Sequence, residues 1–449
     1  MSRTCLLLIL AAGAGTRMKS EVPKVLHKVA GVSLLSHLLC TATQSDVDKI
    51  CVVIRSGDQA VSDSVEDCSD IFFFEQPDQL GTAHAVLAAR DLLKEELDDV
   101  VIIFGDTPLI ERSDIIELRA TLENGADLVL MGFHTDNPRG YGRLLFREGR
   151  IKAIIEEEDA SDEQKKINFC NAGMIAIKRE HLLFLLEKVK NKNRKHEYYL
   201  TDIVKLADAC GLDIRVLRVE REKYIGINNR VDLAKVEEVW QRKKRHELML
   251  NGVTLQAPES VFFSYDTEIA ADVLIEPHVF FGPGVKIDSG TIIHAFSYIE
   301  GAVISANTRI GPYARLRSGT QLHPAVKVGN FCEIKKASVG FETKINHNSY
   351  IGDAEIGANV NIGAGTVICN YDAYHKHRTT IADGAFIGSN TSLVAPISVG
   401  RDSYIASGSV ITENVSENTL AFGRARQVNK YEYAKKIRNR LASLEESDG

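Results

Sequence analysis

A glycine-rich loop near the start of the chain has the residue types of a phosphate-binding site. Residues 8–18 (LILAAGAGTRM) run from an apolar segment into a loop that contains Gly13 and Gly15. Residues without a Cβ let backbone N–H groups approach phosphate oxygens, and we expect a helix after the loop to add its positive end. The loop lacks the third glycine of a dinucleotide fingerprint and the GK[ST] of a Walker loop. It therefore predicts an anion site that follows neither of these two patterns.

Two further side chains are candidates for chemistry. Asp106, in FGDTPL, follows an apolar run, and the carboxyl edge of an α/β sheet is where ligand sites form. A carboxylate there suits Mg²⁺, and the alternative is a helix N-cap. Histidine as a residue type titrates near neutral pH, so His347, in NHNSY, could take a proton from an amine. The alternative for a single histidine among 13 is a structural or exposed role.

The elements that would position His347 follow a six-residue period. This period fits neither the 3.6 residues per turn of an α-helix nor the two-residue alternation of a β-strand. Each hexad therefore predicts a short strand followed by a corner. Three hexads would make one triangular coil of a repeat structure, with the aliphatic residue inside. A β-sandwich is the alternative, but its turns recur at about 8–12 residues. The series consists of Ile269, Ile275, Phe281, Ile287, Ile293, Ile299, Ile304, Ile310, Leu316, Leu322, Val328, Ile334, Val339, Ile345, Ile351, Ile356, Ile362, Ile368, Ile381, Ile387, Leu393, Val399, Ile405 and Ile411.

Glycines often follow a residue of this series. We expect them at tight bends, where a residue without a Cβ is favoured. A thirteen-residue gap between Ile368 and Ile381 predicts an extruded loop. The glycines are Gly282, Gly311, Gly329, Gly340, Gly352, Gly357, Gly363, Gly388 and Gly400.

The part of the chain before the hexads alternates apolar runs with helical patterns. This predicts a Rossmann-like α/β domain with a mostly parallel sheet. The charged segment 230–251 predicts a long helix that is a linker, the last helix packed on that domain, or both. We predict three parts, residues 1–229, 230–251 and 252–449, the last with a C-terminal helix and tail. The predicted strands are residues 6–10, 49–54, 71–74, 100–104, 127–132 and 173–177.

Bulk composition excludes several classes of protein. A net charge of −7 gives no general attraction to nucleic acid. No apolar run approaches the roughly 18 residues of a membrane span, so we expect a cytoplasmic protein. The eight cysteines form no CxxC pair, which disfavours zinc knuckles and a disulfide framework, and we expect reduced thiols.

Both halves of the chain resemble known enzymes. Residues 4–230 resemble the sugar-1-phosphate nucleotidyltransferases, whose signature LAAGxGTRM followed by PK is matched by residues 10–18 and 23–24. Residues 250–430 resemble the acetyltransferase half of the bifunctional N-acetylglucosamine-1-phosphate uridyltransferase/glucosamine-1-phosphate N-acetyltransferases. The matching strings are RLRSG, EIKKA, NHNSYIGD and ANVNIGAGTVICNYD. The resemblance implies a left-handed parallel β-helix, both transferase activities and a role in cell-wall precursor synthesis.

The resemblance implies a set of residues for nucleotidyl transfer. Arg17 and Lys24 would be the catalytic cations, and Asp106 and Asn228 would hold Mg²⁺. Gln76, Gly81 and Thr82 would read uracil, and Gly142, Glu156 and Asn171 would contact N-acetylglucosamine. The contacts implied for UTP and UDP-N-acetylglucosamine are Leu10, Ala11, Ala12, Gly13, Lys24, Gln76, Gly81, Thr82, Gly105, Asp106, Gly142, Glu156, Asn171 and Asn228.

A second set is implied for acetyl transfer, with His347 as the catalytic base. Ser407 replaces the alanine expected there, which matters little for a backbone contact. The loop that carries Asn370 and Tyr371 would reach an adjacent subunit of a homotrimer. The residues implied for glucosamine-1-phosphate are Arg317, Lys335, Tyr350, Asn361 and Lys376. Those implied for acetyl-CoA are Ala364, Asn370, Tyr371, Ser389, Ser407 and Arg424, although basic residues near Arg424 could also be a solvated helix face.

Two alternatives differ from this interpretation. A single-activity sugar-1-phosphate nucleotidyltransferase could use the β-helix for regulation or assembly, but it would lack the NHNSY histidine. An exchange-factor subunit of translation initiation would be an interaction scaffold, and it would lose the Arg17, Lys24 and Asp106 set. Both sets are present here.

Overall fold

The computed structural model describes residues 3–65 and 71–445. The chain divides into two compact units at residues 244 and 245. This division lies inside a single helix, Arg230–Leu250, which covers the segment predicted as a linker. Each unit is built on a different principle.

The first unit contains a nine-stranded sheet. Its central strand β1 pairs in parallel with β2 and with β4, while β8 runs antiparallel between β4 and β5. The order along the sheet is β9-β5-β8-β4-β1-β2-β3, and the hairpin β6-β7 joins through β8. All six predicted strands are present, and the sheet is mostly parallel as predicted. The strands are β1 (Cys5–Leu10), β2 (Lys49–Arg55), β3 (Ile71–Gln76), β4 (Asp99–Phe104), β5 (Leu128–His134), β6 (Arg143–Arg147), β7 (Arg150–Ile155), β8 (Phe169–Lys178) and β9 (Ile214–Arg218).

Helices cover both faces of this sheet. Alternate residues of β1 point to opposite sides, so Leu6 and Leu8 join one core and Leu7 and Ile9 join the other. The first core includes residues of α3, α7 and α8, and the second includes residues of α1 and α5. The helices are α1 (Leu34–Gln44), α2 (Gln59–Asp63), α3 (Thr82–Ala88), α4 (Arg90–Leu93), α5 (Arg112–Glu123), α6 (Asp162–Lys165), α7 (Arg179–Lys188), α8 (Asp202–Ala209), α9 (Arg230–Leu250) and α10 (Tyr433–Glu445). Single 3₁₀ turns occupy Thr16–Met18, Lys24–Leu26, Arg221–Tyr224 and Pro258–Ser260, and a small hairpin pairs Lys28–Val29 with Val32–Ser33.

The expected helix after the glycine loop was wrong. The 3₁₀ turns Thr16–Met18 and Lys24–Leu26 follow Gly15, and the first α-helix begins at Leu34. Pro23 stands between the two, and a proline cannot supply the N–H that a continuing helix needs. A single turn sums few peptide dipoles, so positive charge at this loop must come from side chains.

The second unit is a parallel β-helix with three faces. Each strand pairs in parallel with the strand on the same face of the next coil. Ile292, for example, pairs with Arg309, and Ile293 pairs with Ile310. The first face contains Thr254–Leu255, Leu274–Ile275, Ile292–Ile293, Arg309–Ile310, Lys327–Asn330, Lys344–His347, Asn361–Ile362, Phe386–Ile387, Tyr404–Ile405 and Leu420–Ala421. The second contains Phe280–Phe281, Tyr298–Ile299, Arg315–Leu316, Glu333–Val339, Tyr350–Ile356, Val367–Cys369, Ser392–Val394 and Val410–Ile411. The third contains Glu268–Ile269, Lys286–Ile287, Ala302–Ile304, Thr320–Leu322, Thr379–Ile381 and Ile397–Val399, together with the ends of Glu333–Val339 and Tyr350–Ile356, which bend onto it.

The aliphatic series fills the interior of this prism, as predicted. Ile310 and Ile345 have 0% and Ile362 has 2% of their surface exposed. Every other member is also buried except Ile269, in the first turns of the prism, which is partly exposed. The series lies on all three faces, and since a buried isoleucine contributes roughly 1.5–3 kcal/mol, these side chains together supply much of the stability of the unit.

We predicted that tight bends require the nine glycines that follow residues of the aliphatic series. This reason was wrong for most of them. Of the nine, only Gly311 has a positive φ, at 91°, whereas non-glycine residues such as Phe296 and Asn307 occupy left-handed corners. The glycines are needed because the next coil passes close by. A Cβ at Gly363 would lie 2.5 Å from the Ser389 nitrogen, and one at Gly340 would lie 2.5 Å from the Gly357 carbonyl carbon.

Two predictions from composition concern membrane spans and cysteines. In the described ranges, 3–65 and 71–445, we find no helix with both the length and the apolar character needed to span a bilayer. The cysteines in those ranges carry free thiols, and Cys68 lies outside them.

Candidate active sites

The first unit holds a cavity of about 450 Å³ at the carboxyl ends of β1 and β4. It brings together residues from the glycine loop, from the segment after β3 and from the region around residue 228. Most of the predicted nucleotide contacts lie here. The lining residues are Leu10, Ala11, Ala12, Gly13, Ala14, Arg17, Lys24, Val25, Gln76, Gln79, Gly81, Thr82, Ala85, Phe104, Asp106, Lys195, Glu197 and Asn228.

Gly81, in the wall of this site, and Gly15, in the adjoining loop, are required by both their backbone conformation and the space around them. Gly15 has a φ of 61°, and a Cβ there would lie 2.8 Å from the Cβ of Lys24. Gly81 has a φ of 115°, and a Cβ there would lie 2.6 Å from the Tyr198 carbonyl oxygen. A side chain at either position would displace residues of the cavity wall.

A cation stands between the two predicted metal ligands. The Lys24 ammonium donates to Asp106 Oδ2 and lies 3.3 Å from Asn228 Oδ1. Arg17 Nη2 donates to the same Asn228 oxygen at 2.8 Å. Carboxylate and amide oxygens that converge on one cation are the donor set that Mg²⁺ accepts, with water and phosphate oxygens completing its coordination. Asp106 and Asn228 therefore fit a divalent cation.

The predicted uracil contacts also line this cavity. Gln76 is almost fully buried, and its Nε2 donates to the Gly81 carbonyl at 3.1 Å. Gln79 Nε2 donates to the Ala12 carbonyl at 2.9 Å and so joins this segment to the glycine loop. Thr82 Oγ1 accepts the Leu200 N–H at 2.8 Å, which fixes the start of α3.

The three predicted sugar contacts meet beside the residues that line the cavity. A Cβ at Gly142 would lie 3.6 Å from Glu156 Oε2 and 3.7 Å from the Cβ of Asn171. Glu156 Oε1 accepts a hydrogen bond from Thr201 Oγ1 at 2.9 Å. Burial raises the pKa of Glu156, against the opposing effects of Thr201 and of nearby Lys195.

Sequence reasoning missed part of this site. Lys195 and Glu197 line the cavity but follow no motif and lie between α7 and α8. Gly105, in contrast, was predicted and packs behind the cavity, where a Cβ would lie 3.0 Å from Val25 Cγ1. Only the folded chain shows that the region around residue 196 returns to the glycine loop.

His347 ends a strand of the first β-helix face and is exposed in the single chain. Its Nδ1 lies 3.0 Å from Oδ1 of Asn330, its partner in the preceding coil. An amide oxygen accepts, so Nδ1 is placed to carry the proton and Nε2 is left as the basic nitrogen. The geometry therefore suits a general base at Nε2.

Four of the six residues predicted for acetyl-CoA form a column that begins at His347, whereas Asn370 and Tyr371 belong to the loop described below. The registers Ile345–Ile362, Ile362–Ile387 and Ile387–Ile405 align the residues two positions later in each coil. Those residues are His347, Ala364, Ser389 and Ser407. Arg424 continues it, since its Cδ lies 3.7 Å from a Cβ placed at Gly408.

The residues predicted for glucosamine-1-phosphate fall into two groups within one chain. Arg317 Nη1 donates to Glu333 Oε1 at 2.8 Å, and this contact raises the pKa of Arg317. The neighbouring Lys376 lowers the pKa of Lys335, so these cations are close. Asn361, by contrast, pairs with Lys344 on the first face and is not brought to this cation group.

The predicted extruded loop is a small hairpin that bridges Tyr371 and Lys376. Asp372 accepts the backbone N–H groups of His375 and Tyr374, and its Oδ2 lies 2.6 Å from His377 Nε2. These hydrogen bonds hold the pKa of Asp372 well below its usual range. Asn370 donates to Asp353, and a Cβ at Gly352 would lie 2.6 Å from the Tyr350 hydroxyl oxygen and 2.9 Å from Asn370 Nδ2.

Known proteins match both units. Residues 7–186 match the MobA-like NTP transferase domain, and residues 378–413 match the bacterial transferase hexapeptide (six repeats). The protein is 55% identical over 98% of its length to the "Bifunctional protein GlmU" of Bartonella quintana (strain Toulouse), covering 98% of that protein. Proteins of the same name from Bartonella bacilliformis and Agrobacterium fabrum are 54% and 48% identical, over 98% and 100% of this chain and 99% of each relative.

The chain belongs to the bifunctional GlmU family. Like the family, it is an enzyme with both acetyltransferase and uridyltransferase activities, so the predicted function is confirmed. It acetylates glucosamine-1-phosphate from acetyl-CoA and transfers UMP from UTP to N-acetylglucosamine-1-phosphate. The hexapeptide match confirms the left-handed parallel β-helix. The two alternative interpretations, a scaffold protein and a single-activity nucleotidyltransferase, are therefore wrong for this chain.

Membership in the GlmU family agrees with further features of the chain. Its substrates are small molecules, and nucleotidyl transfer in such a domain is consistent with a divalent cation. The hexapeptide-repeat unit is consistent with oligomerisation. A role in cell-wall synthesis is consistent with the same family.

Proposed function

We propose that the cavity of the first unit carries out uridylyl transfer with Mg²⁺ held by Asp106 and Asn228. The observation that supports this most directly is the convergence of these two oxygens on one cationic position, held here by Lys24. When bound, Mg²⁺ would neutralise charge on the nucleotide phosphates. Lys24 and Arg17 then move from the two oxygens to the phosphates, which they bind and orient.

The acceptor phosphate attacks the α-phosphorus of UTP, and pyrophosphate leaves. Such transfer depends on position and on charge neutralisation, without a covalent intermediate. Lys24 and Arg17 supply positive charge on the side of the cavity nearest the glycine loop. Gln76 and Gly81 hold uracil, and Gly142, Glu156 and Asn171 hold the sugar. This division of roles would place the acceptor between the cavity and β8.

For acetyl transfer we assign the base to His347. Nε2 removes the proton from the sugar amine, and the amine nitrogen then attacks the thioester carbonyl. The thiolate of CoA leaves and takes up a proton. The column from Ala364 to Arg424 holds acetyl-CoA, and Arg317, Lys335 and Lys376 hold the sugar phosphate.

This acetyl-transfer site would be completed in a homotrimer. Support comes from two features of the single chain: His347 is exposed, and Asn361 lies on a different face from the cation group. The hairpin with Tyr371 then reaches a neighbouring subunit. Sedimentation equilibrium of the full chain should give three times 49.6 kDa. A monomer that is fully active in acetyl transfer would exclude the proposal.

The substrates indicate where the enzyme works. UTP and acetyl-CoA are products of cytoplasmic metabolism, so we place the reaction in the cytoplasm. Incubation with glucosamine-1-phosphate, acetyl-CoA, UTP and Mg²⁺ should give UDP-N-acetylglucosamine. Omission of Mg²⁺ should stop the second step and let N-acetylglucosamine-1-phosphate accumulate. Unchanged uridylyl transfer in EDTA would contradict the metal assignment.

A further inference from the structure

A buried ion pair lies next to the proposed sugar contacts and has no role in the mechanism above. The side chain of Arg143, at the start of β6, is 1% exposed, and its partner Glu157 is partly exposed. Arg143 Nη2 donates to Glu157 Oε2 at 2.5 Å, and Nη1 donates to the Tyr141 carbonyl. A guanidinium taken out of water needs such partners, because an uncompensated buried charge is strongly destabilising. The position of Arg143 is therefore fixed by the groups it contacts.

Each member of the pair is the direct chain neighbour of a proposed sugar contact. Arg143 follows Gly142, and Glu157 follows Glu156. The register pairs Arg143 with Ile155 across the β6-β7 hairpin. The pair therefore closes the open end of this hairpin, where Gly142 and Glu156 face each other.

The pair also reaches the loop before β6 and the strand that carries the third sugar contact. Glu157 Oε2 accepts the Gly140 N–H at 3.3 Å, in addition to the hydrogen bond from Arg143. The Asn171 N–H donates to the Gly142 carbonyl at 2.8 Å. A shift of the pair would thus move the loop and, through Gly142, change the distance between Asn171 and Glu156.

The contacts of Glu157 keep its carboxylate charged at neutral pH. Burial opposes ionisation, but the hydrogen bonds from Arg143 and Gly140 outweigh it and lower the pKa of Glu157. Lys165 adds a smaller effect in the same direction. Glu157 is therefore ionised when the enzyme works.

We propose that Arg143 and Glu157 are positioning residues for the sugar-1-phosphate acceptor, and that they set its affinity without touching UTP. Neither residue is among those that line the nucleotide cavity. Their effect passes through Gly142 and Glu156, so the proposal rests on the sugar-site assignment made above.

The test is steady-state kinetics of uridylyl transfer by the full chain. For Glu157→Gln we expect KM for N-acetylglucosamine-1-phosphate to rise about tenfold, with KM for UTP within about twofold, because only acceptor binding is affected. Arg143→Met should act in the same direction and more strongly. Arg143→Lys, which keeps the charge but loses the fork geometry, should lie between Arg143→Met and the unaltered enzyme.

A matched control comes from the same hairpin. Lys152 of β7 forms an ion pair with Asp208 at 2.8 Å, away from the three sugar contacts. Asp208→Asn should leave both KM values unchanged. Thermal melts of all variants distinguish a loss of folding from a loss of binding. If Arg143→Met does not fold, Glu157→Gln still tests the positioning role.

Four outcomes decide between the explanations. A selective rise in acceptor KM for Glu157→Gln, absent in Asp208→Asn, supports the proposal. Equal changes in both KM values, or none, would overturn it. Glu156→Gln tests the underlying assignment: if it leaves acceptor KM unchanged, the sugar site itself is misplaced. If Glu156→Gln raises acceptor KM but Glu157→Gln does not, the site stands and the positioning role is wrong.

Discussion

The two candidate sites of this enzyme are held together in different ways. In the first unit, residues far apart in sequence form a cavity through side-chain contacts, such as Arg17 with Asn228. In the second, His347 and Ser407 stand in one column because the coils keep register, and His347 is open to solvent. The activity of a site held by contacts between distant residues should be sensitive to the replacement of single side chains. The activity of a site held by strand register should be sensitive to any change that disturbs the coils.

The largest expected effect tests whether the two sites are independent. Lys24→Ala should lower uridylyl transfer by at least about 1,000-fold, since a charge that stabilises the transferring phosphoryl group is lost. Acetyl transfer should be unchanged, as measured by CoA release from acetyl-CoA and glucosamine-1-phosphate. Lys28→Ala, an exposed lysine nearby, is the control. Loss of both activities would show that the units depend on each other.

The reverse experiment removes the proposed base of the second unit. His347→Ala should reduce CoA release by about 100-fold to 10,000-fold, the usual contribution of general base catalysis. Formation of UDP-N-acetylglucosamine from N-acetylglucosamine-1-phosphate and UTP should not change. His323→Ala, another exposed histidine of the β-helix, should retain both activities. Acetylation that survives in the His347 variant would require a different base.

A third change tests the role of coil spacing. A Cβ at Gly340 would meet the Gly357 backbone at 2.5 Å, so Gly340→Ala should destabilise the second unit by about 1–3 kcal/mol through overpacking. Urea unfolding measures this free energy. Gly13→Ala is the contrast, because nothing lies within 4 Å of its Cβ position. Equal stability of the two variants would contradict the close approach of the coils.

The smallest expected effect concerns Glu156. Its pKa is raised by burial, so the folded protein binds a proton more tightly than the unfolded chain does. Its contribution to stability is therefore greatest below the unfolded pKa of about 4.3 and decreases as pH rises through the folded value. Glu156→Gln should flatten the stability curve at pH values above about 4.3, the unfolded pKa. An unaltered slope would mean that Glu156 titrates normally.

Local patterns were predicted well from the sequence. The hexads identified the aliphatic side chains that fill the interior of the β-helix, and the apolar runs located six strands of the α/β sheet. The glycine loop was located correctly, but the helix after it was not, because Pro23 and the tertiary setting favour single turns. The glycines of the β-helix were noticed, although the reason for them lies in the neighbouring coil.

Residues without a local pattern could not be predicted. Lys195 and Glu197 belong to a segment with no motif, yet they line the nucleotide cavity. The ion pair between Arg143 and Glu157 depends on the β6-β7 hairpin, which the sequence did not reveal. A contact of this kind becomes visible only when the strands are paired.

The sequence by itself determined the second unit almost completely, because each hexad buries one side chain and stacks only on its neighbours. A repeating local rule is therefore enough to place Ile345 inside and His347 at a corner. Only the tertiary structure decided the first site. Residues near positions 17, 106 and 228 meet there because parallel strands carry distant segments to one edge of a sheet, and no spacing along the chain encodes that meeting.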